Sequence, residues 1–130
     1  MINKLLLQRQ FRRNIRTLTS IGSYAVGELG TESYKLFFTD RDKNIISPWH
    51  DINLRAKDGL FNFINEIPKY TRAKMELATK VKHNPIAQDI KSDKLRYYHG
   101  PIYWNYGCFP QTWEDPSVKH PDLVRNDVKM

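Results

Sequence analysis

The sequence predicts a mainly β fold, either a small barrel or a sandwich. Three observations support this prediction. Apolar and aromatic residues occur in short runs of five to eight residues, and turn signals such as Lys57-Asp58-Gly59 and His99-Gly100-Pro101 separate these runs. The only strong helical periodicity lies near the N-terminus. The chain has 130 residues, which is enough for one domain.

Four segments have the composition of strands. In chain order they are Tyr34–Thr39, Leu60–Ile67, Lys74–Thr79 and Lys94–Tyr98. The third alternates, which places Lys74 and Glu76 on one face and Met75 and Leu77 on the other. The residues that follow His99 are rich in proline and aromatic residues, and we expect a loop there.

The first 27 residues have the pattern of a mitochondrial transit peptide. Leu7, Phe11, Ile15 and Leu18 fall on one helical face, the arginines fall on the opposite face, and the segment contains no acidic residue. An ordinary surface helix and a nucleic-acid-binding arm are the alternatives, although surface helices usually carry charges of both signs. The favoured division is therefore a leader at 1–27 and a folded domain at 28–130.

The charge of the chain argues against nucleic-acid binding by the folded domain. The formal net charge is +7, but five of the 21 lysines and arginines lie in the first 16 residues, so residues 28–130 carry only +2. No apolar run reaches the roughly 20 residues that a membrane-spanning helix needs. Cys108 is the single cysteine, which excludes an internal disulfide.

A phosphate-binding pocket is the most specific chemistry that the strand pattern suggests. Lys74 and Glu76 project to the same side of one strand, and Arg96 on another strand adds a planar group of N–H donors suited to phosphate. If the two strands are neighbours, these side chains form one basic pocket with a carboxylate in it. The alternative is a solvated strand face with a cross-strand ion pair, and from spacing alone it is the better interpretation.

The segment Ile102–Pro116 contains five aromatic residues among 15 positions. It is interpreted equally well as the lining of a binding site or as a loop anchored over the core by its rings. The four histidines lack the spacing of a metal site, and Cys108 beside Phe109 is typical of a buried structural thiol.

Five motifs, in order along the chain, resemble the eukaryotic-type soluble inorganic pyrophosphatases. They are Ser47-Pro48-Trp49-His50-Asp51-Ile52, Glu66-Ile67-Pro68-Lys69-Tyr70-Thr71-Arg72-Ala73-Lys74-Met75-Glu76, Asn84-Pro85-Ile86-Ala87-Gln88-Asp89, Lys94-Leu95-Arg96-Tyr97, and Asn105-Tyr106-Gly107 followed by Pro110-Gln111-Thr112-Trp113-Glu114-Asp115-Pro116. The resemblance runs from about Tyr34 to Pro116, and the leader-like N-terminus makes the chain similar to the mitochondrial form.

The resemblance implies a five-stranded OB-like barrel whose cavity holds pyrophosphate and several Mg²⁺ ions. By motif, Glu66 and Glu76 would lie beside the metal and phosphate network, Lys74 and Arg96 would bind phosphate oxygens, and Tyr106 would donate a hydrogen bond to phosphate. Asp89 would lie at the edge of the site. These roles agree with metal-assisted in-line displacement at phosphorus.

Two departures from the family pattern affect the expected activity. The family pattern has a Gly-Tyr-Ile motif whose tyrosine is a proposed proton donor. This sequence has Gly100-Pro101-Ile102-Tyr103-Trp104 in its place, so Tyr103 is a displaced and ambiguous equivalent of that tyrosine. The principal metal-binding Asp-x-Asp-Pro-x-Asp cluster is absent from the 130 residues, which offer only Asp122 and Asp127 after Pro116. We therefore expect an incomplete barrel with impaired or no activity by itself.

The sequence thus favours an Mg²⁺-dependent inorganic diphosphatase, present here as a portion of the enzyme. The alternative is a truncated paralogue that binds anions without catalysis. The resemblance implies pyrophosphate as the substrate. It is also compatible with a homodimer of the intact family member. The location is the mitochondrial matrix if the leader is a transit peptide, and the cytoplasm otherwise.

Overall fold

The computed structural model describes residues 21–115 and 117–118, and within them the chain consists of short antiparallel strands. The strands are β1 (Gly22–Val26), β2 (Lys35–Thr39), β3 (Ile45–Ile46), β4 (Ile64–Ile67), β5 (Met75–Leu77), β6 (Ile86–Gln88), β7 (Ile90–Lys91), β8 (Lys94–Leu95) and β9 (Tyr106–Cys108). A 3₁₀ turn at Lys57–Gly59 is the one helical element in these described ranges. The prediction of a mainly β fold is confirmed.

The main sheet has the order β1-β2-β6-β5, and β3 pairs with the end of β2. Every pairing in it is antiparallel, with Leu36 opposite Ile86 and Leu77 also opposite Ile86. The side chains of β5 and β6 alternate between buried and partly exposed, as a sheet with one solvated face requires. The solvated face is the one that carries the candidate site.

Two small ribbons complete the described fold. β4 pairs with β9, and β7 pairs with β8 in a tight hairpin. β4 lies against β5 without joining its sheet. Across residues 21–115 and 117–118 the sheets do not close into a barrel, which agrees with the predicted incomplete barrel.

The core is small and lies between β4, β5 and β6. Its buried apolar side chains are Ile64, Ile67, Met75, Leu77 and Ile86. Larger side chains such as Phe38 and Trp49 pack at its margin and remain partly exposed. Each core strand contributes only one or two of these residues, and most aromatic rings of the described residues are left near solvent.

The strand β1 lies inside the segment predicted as a leader. Gly22–Val26 pairs along its whole length with β2, from Gly22 opposite Thr39 to Val26 opposite Lys35. A leader that ended at Gly27 would therefore include a strand of the sheet. The amphipathic pattern itself, which begins at Leu7, falls on residues 1–20, outside the described part of the chain.

The four predicted strands are present but shorter than expected. β2 nearly fills Tyr34–Thr39, whereas only Ile64–Ile67 of Leu60–Ile67 and only Lys94–Leu95 of Lys94–Tyr98 are strands. The prediction of a loop after His99 is wrong for β9, which pairs with β4.

None of the helices in the described residues has the length and apolar character that crossing a membrane requires.

Candidate functional site

Four charged side chains meet on the solvated face of the main sheet, and we call them the ionic cluster: Lys74, Glu76, Asp89 and Arg96. Lys74 Nζ donates to Glu76 Oε2 and to Asp89 Oδ2, each at 2.6 Å. Arg96 Nη1 donates to the same Asp89 oxygen at 2.5 Å. Asp89 is the best shielded of the four, with 15% of its side chain exposed. One carboxylate oxygen thus joins the two cations that the sequence predicts for phosphate binding.

Backbone pairing brings these residues together. β5 and β6 are in register with Met75 opposite Gln88, and the next step places Lys74 beside Asp89, whose N–H donates to the Lys74 carbonyl at 2.9 Å. The Lys74 N–H in turn donates to the Arg96 carbonyl at 3.1 Å, beside an antiparallel bridge between Ala73 and Tyr97. The condition stated from the sequence, that the strands carrying Lys74 and Arg96 are neighbours, is met.

The ion pairs shift the pKa values of Lys74 and Asp89 toward the charged forms. Burial alone would lower the pKa of Lys74, but the hydrogen bonds to Asp89 and Glu76 outweigh it and raise that pKa. The bond from Lys74 is the largest cause that lowers the pKa of Asp89, and burial only partly opposes it. Both residues are therefore charged throughout the neutral pH range.

Glu66 lies next to the ionic cluster on a different strand. The register between β4 and β9 shifts between Asn65 and Ile67, so Glu66 occupies a β-bulge. Its Oε1 accepts the backbone N–H of Leu77 at 2.7 Å. Burial, reinforced by the nearby Glu76 carboxylate, raises the pKa of Glu66 despite that hydrogen bond. The bulge thus aims a half-buried carboxylate of raised proton affinity at β5.

The strand β9 carries Tyr106 and is held very close to β4. Tyr106 is opposite Ile67 and half of its side chain is exposed. Gly107 follows, and a Cβ at this position would lie 1.8 Å from the Ile64 carbonyl oxygen. Only glycine allows this approach, so Gly107 sets the separation between the strands that carry Glu66 and Tyr106.

Tyr103, the ambiguous proton donor, has an aromatic partner outside the ionic cluster. Its ring meets the edge of Tyr70 with centroids 6.1 Å apart, and Lys69 Nζ lies over the Tyr70 ring at 5.4 Å. Tyr103 is 71% exposed. Within the described residues, its hydroxyl has no hydrogen bond to the ionic cluster.

The aromatic segment, residues 102–115, is attached to the rest of the fold by the pairing of β9 with β4, by ring contacts and by side-chain hydrogen bonds. Trp49 Nε1 donates to the Thr112 carbonyl at 2.8 Å, and the Gln111 side chain accepts from the Leu54 N–H and donates to the His50 carbonyl. All five rings of the segment are about half exposed or more, whereas Pro110 is fully buried. Phe109 still packs against Phe61 and Phe63, so the two interpretations of the segment, as the lining of a site and as a loop anchored by its rings, both stay predictions.

A shallow cavity of about 330 Å³ lies at one end of the aromatic segment. It is lined by Trp49, His50, Gln111, Thr112 and Trp113. Trp49 stacks on His50 and meets Trp113 at a 30° tilt. The ionic cluster takes no part in this lining, so the aromatic cavity and the charged site are separate features.

Cys108 is a half-buried thiol on β9. Burial, with a smaller contribution from the Glu66 carboxylate, raises its pKa to about 11. Such a thiol is protonated and unreactive at neutral pH. This supports the structural role that its neighbour Phe109 suggests.

The structure unites most of the predicted site and changes one position within it. Lys74 pairs directly with Glu76 and with Asp89, Asp89 also pairs with Arg96, and Glu66 lies on the adjoining strand. Asp89, expected at the edge, lies between the two cations. Sequence reasoning did not single out Gln88, a buried amide that donates to the Arg96 carbonyl at 2.7 Å. Its signal was the alternation Ile86-Ala87-Gln88, which places an amide on the core face.

Comparison with known proteins identifies the family to which this arrangement belongs. The sequence profile described as inorganic pyrophosphatase matches residues 63–127, which is half of the chain. The chain belongs to the inorganic pyrophosphatase family. The matched residues include every member of the ionic cluster, Glu66 and Tyr106, so the resemblance drawn from the motifs is confirmed at family level.

Named pyrophosphatases are similar to this chain in sequence, and solved ones are similar in fold. The chloroplastic soluble inorganic pyrophosphatase 6 of Arabidopsis thaliana is 60% identical over 90 residues, which are 69% of this chain and 30% of that protein. The crystal structure of type I inorganic pyrophosphatase from Toxoplasma gondii superposes with a TM-score of 0.72 at 41% identity, covering 78% of this chain and 47% of that one.

The vacuolar soluble pyrophosphatase of Trypanosoma cruzi, with its N-terminal domain truncated and in complex with PPi, is also similar. Its TM-score is 0.69 at 43% identity, and the match covers 78% of this chain and 45% of that one. The chain therefore spans between about a third and a half of the length of these pyrophosphatases. At 41–43% identity, the superpositions support the OB-like fold class of the described strands.

Proposed function

We propose that the chain forms the pyrophosphate-binding part of an Mg²⁺-dependent inorganic diphosphatase, which hydrolyses pyrophosphate to two phosphates. The ionic cluster is the observation that carries this proposal. Two cations from different strands converge on one shielded carboxylate oxygen, on the open face of the sheet. The T. cruzi relative, solved with PPi, supports pyrophosphate as the ligand.

The cations of the cluster retain N–H donors for phosphate. An ammonium has three N–H donors and a guanidinium has five. Lys74 uses two of its donors on Glu76 and Asp89, and Arg96 uses one on Asp89. The remaining donors of Arg96, which is 43% exposed, suit two oxygens of one phosphate group. In this proposal Asp89 and Glu76 hold the cations in place while the free donors bind substrate.

The acid–base roles form a second part of the proposal. Glu66 and Glu76 are proposed to act beside the reacting phosphate, and the raised pKa of Glu66 supports a role in proton transfer. Tyr106 is proposed to donate to a phosphate oxygen. Tyr103 is kept as the ambiguous proton donor, although its contact with Tyr70 gives this role no support.

The divalent metal of the proposal is Mg²⁺, which the family resemblance implies. In the described part of the chain, no group of three or more Asp, Glu, His or Cys side chains is arranged to hold a metal ion. Glu76 and Asp89 are already bound to Lys74, and Glu66 is bound to a backbone N–H. The described carboxylates therefore do not fit a complete metal centre.

The same observation favours a second candidate function, a non-catalytic anion-binding paralogue. Such a paralogue would bind anions through the same ionic cluster but would not hydrolyse pyrophosphate. Pyrophosphate is the proposed ligand in both cases, with no role for nucleic acid, and a homodimer is proposed for the intact family member.

An organellar form exists among the relatives, since the Arabidopsis protein is chloroplastic. We propose mitochondrial import for this chain on the basis of the arginine-rich pattern at its N-terminus. Fusion of residues 1–20 to a fluorescent protein tests this proposal. Cytoplasmic fluorescence in animal or fungal cells would contradict it.

A phosphate-release assay separates the enzyme from the anion binder. The purified 130-residue chain is incubated with pyrophosphate, with and without Mg²⁺, and orthophosphate is measured. Because the described residues hold no three-donor metal centre, we expect no turnover by the chain alone. Mg²⁺-dependent turnover that Glu76→Gln abolishes would instead show that the chain is a complete enzyme.

A further inference from the structure

Gln88 is a polar side chain buried on the core face of the main sheet. It is 8% exposed and ends β6, and its strand partner is Met75, which is 9% exposed. Burial of an amide costs free energy unless hydrogen bonds satisfy it. A glutamine among these apolar side chains therefore has a specific partner that accounts for its presence.

That partner is the backbone of Arg96. Gln88 Nε2 donates to the Arg96 carbonyl oxygen at 2.7 Å. The same oxygen accepts the backbone N–H of Lys74 at 3.1 Å, and the Arg96 N–H donates to the Asp89 carbonyl at 2.8 Å. One carbonyl oxygen thus receives two donors and links the backbones of both phosphate-binding cations.

Arg96 needs this support because it lies just beyond the regular strand. β8 ends at Leu95, and the β7–β8 hairpin is only two residue pairs long. Asp89 holds the guanidinium from the solvated face, whereas Gln88 holds the backbone from the core face. Adjacent residues of one segment therefore fix the two ends of the same arginine.

We propose that Gln88 is a positioning residue that sets the place of Arg96 for binding pyrophosphate. This inference rests on the proposed function of the ionic cluster. Gln88 does not contact the substrate. Its effect on affinity passes through Arg96.

Two substitutions of Gln88 in the full 130-residue chain test the proposal. Gln88→Leu removes the N–H donor. Gln88→Glu also removes it when the new carboxyl group is ionised, and this variant keeps the length of the side chain. Calorimetry with pyrophosphate is expected to show an affinity about tenfold lower for each variant, as the loss of one hydrogen bond from a positioned group predicts. Asn84→Ala is the matched control, since it removes another buried amide, which bonds to Ser47 instead.

A double-substitution cycle separates positioning from general destabilisation. In the Arg96→Gln background, Gln88→Leu is expected to change the affinity by less than about twofold, because its effect is transmitted through Arg96. An undiminished tenfold loss in that background would overturn the proposal. So would wild-type affinity in folded Gln88→Leu or Gln88→Glu.

An NMR readout keeps the test independent of ligand binding. In ¹⁵N-labelled chain without ligand, Gln88→Glu is expected to shift the Arg96 Nε–Hε resonance and to accelerate exchange of the Lys74 amide, while the Arg72 side-chain signal stays unchanged. Unchanged Arg96 and Lys74 signals would overturn the positioning role. A folded wild-type chain that does not bind pyrophosphate would refute the proposed function, and the NMR signals alone would then decide the role of Gln88.

Discussion

The ionic cluster and the aromatic segment hold their functional side chains in opposite ways. In the cluster, every charged side chain has an ionic partner at 2.5–2.6 Å, and the backbone beneath is tied by strand pairing. In the aromatic segment, strand pairing is confined to the three residues of β9. The rest of its backbone is held by a few polar bonds, and its rings are about half exposed or more.

The ionic cluster is therefore preorganised, whereas the rings of the aromatic segment are largely exposed. The cluster places its charges without further help, because Asp89 and the sheet fix both cations. The aromatic segment depends on a few close contacts, above all the approach of Gly107 to β4 and the tether at Trp49. Substitutions in the two regions are therefore expected to have different consequences.

The largest effect is expected where the aromatic segment meets β4. In Gly107→Ala the new Cβ would lie 1.8 Å from the Ile64 carbonyl oxygen, so β9 must separate from β4. We expect a loss of about 3 kcal/mol or more in the free energy of unfolding, measured by urea denaturation. Gly100→Ala is the control, because its Cβ would have no atom within 4 Å. Equal stabilities of the two variants would show that β9 does not depend on this approach.

A smaller effect is expected at the centre of the ionic cluster. Asp89→Asn removes a carboxylate that holds two cations, at an expected cost of about 1–3 kcal/mol in the free energy of unfolding. Asp42→Asn, on an exposed turn, serves as the control.

The same residue predicts a pH dependence. Since the pKa of Asp89 is lowered in the folded chain, its stabilising contribution is fully present above the unfolded value near 3.8 and is lost as the pH falls through the lowered pKa. Acid unfolding followed by circular dichroism is expected to be less steep in Asp89→Asn. A wild-type slope in that variant would contradict the ion-pair geometry.

The smallest effect is expected at the tether of the aromatic segment. Trp49→Phe keeps a ring on His50 but loses the indole N–H bond to the Thr112 carbonyl, which is worth about 1 kcal/mol. Thermal unfolding measures the loss. Trp104→Phe, at a residue that is 61% exposed, is expected to be neutral within about 0.5 kcal/mol. If the two variants are equally stable, the tether contributes nothing.

The sequence predicts the residues of the ionic cluster better than it predicts the strand pairing that positions them. Alternation over Lys74–Thr79 correctly places Lys74 and Glu76 on one face, because strand geometry imposes a period of two whatever the tertiary structure. The position of Asp89 depends on the register between β5 and β6, which is a long-range property. A strand of three residues after Pro85 carries too little periodicity to reveal β6, and so Gln88 was not recognised.

The strands β1 and β9 show a second limit of sequence reasoning. β1 is exposed at every residue and joins the sheet through backbone hydrogen bonds, which leave no apolar pattern in its side chains. β9 depends on the close approach of Gly107 to β4. A single glycine near aromatic residues does not predict such an approach from the sequence. The motifs identify the family, whereas the pairings of β1 and β9 depend on the three-dimensional structure.

The central claim, that the ionic cluster is a pyrophosphate site, is tested most directly by calorimetric titration of the 130-residue chain with pyrophosphate. We expect saturable binding that Lys74→Gln weakens at least about tenfold, since it removes a charged donor, while Lys80→Gln on an exposed turn leaves the affinity unchanged. Absence of binding by the folded chain, or equal affinities in the two variants, would contradict the claim.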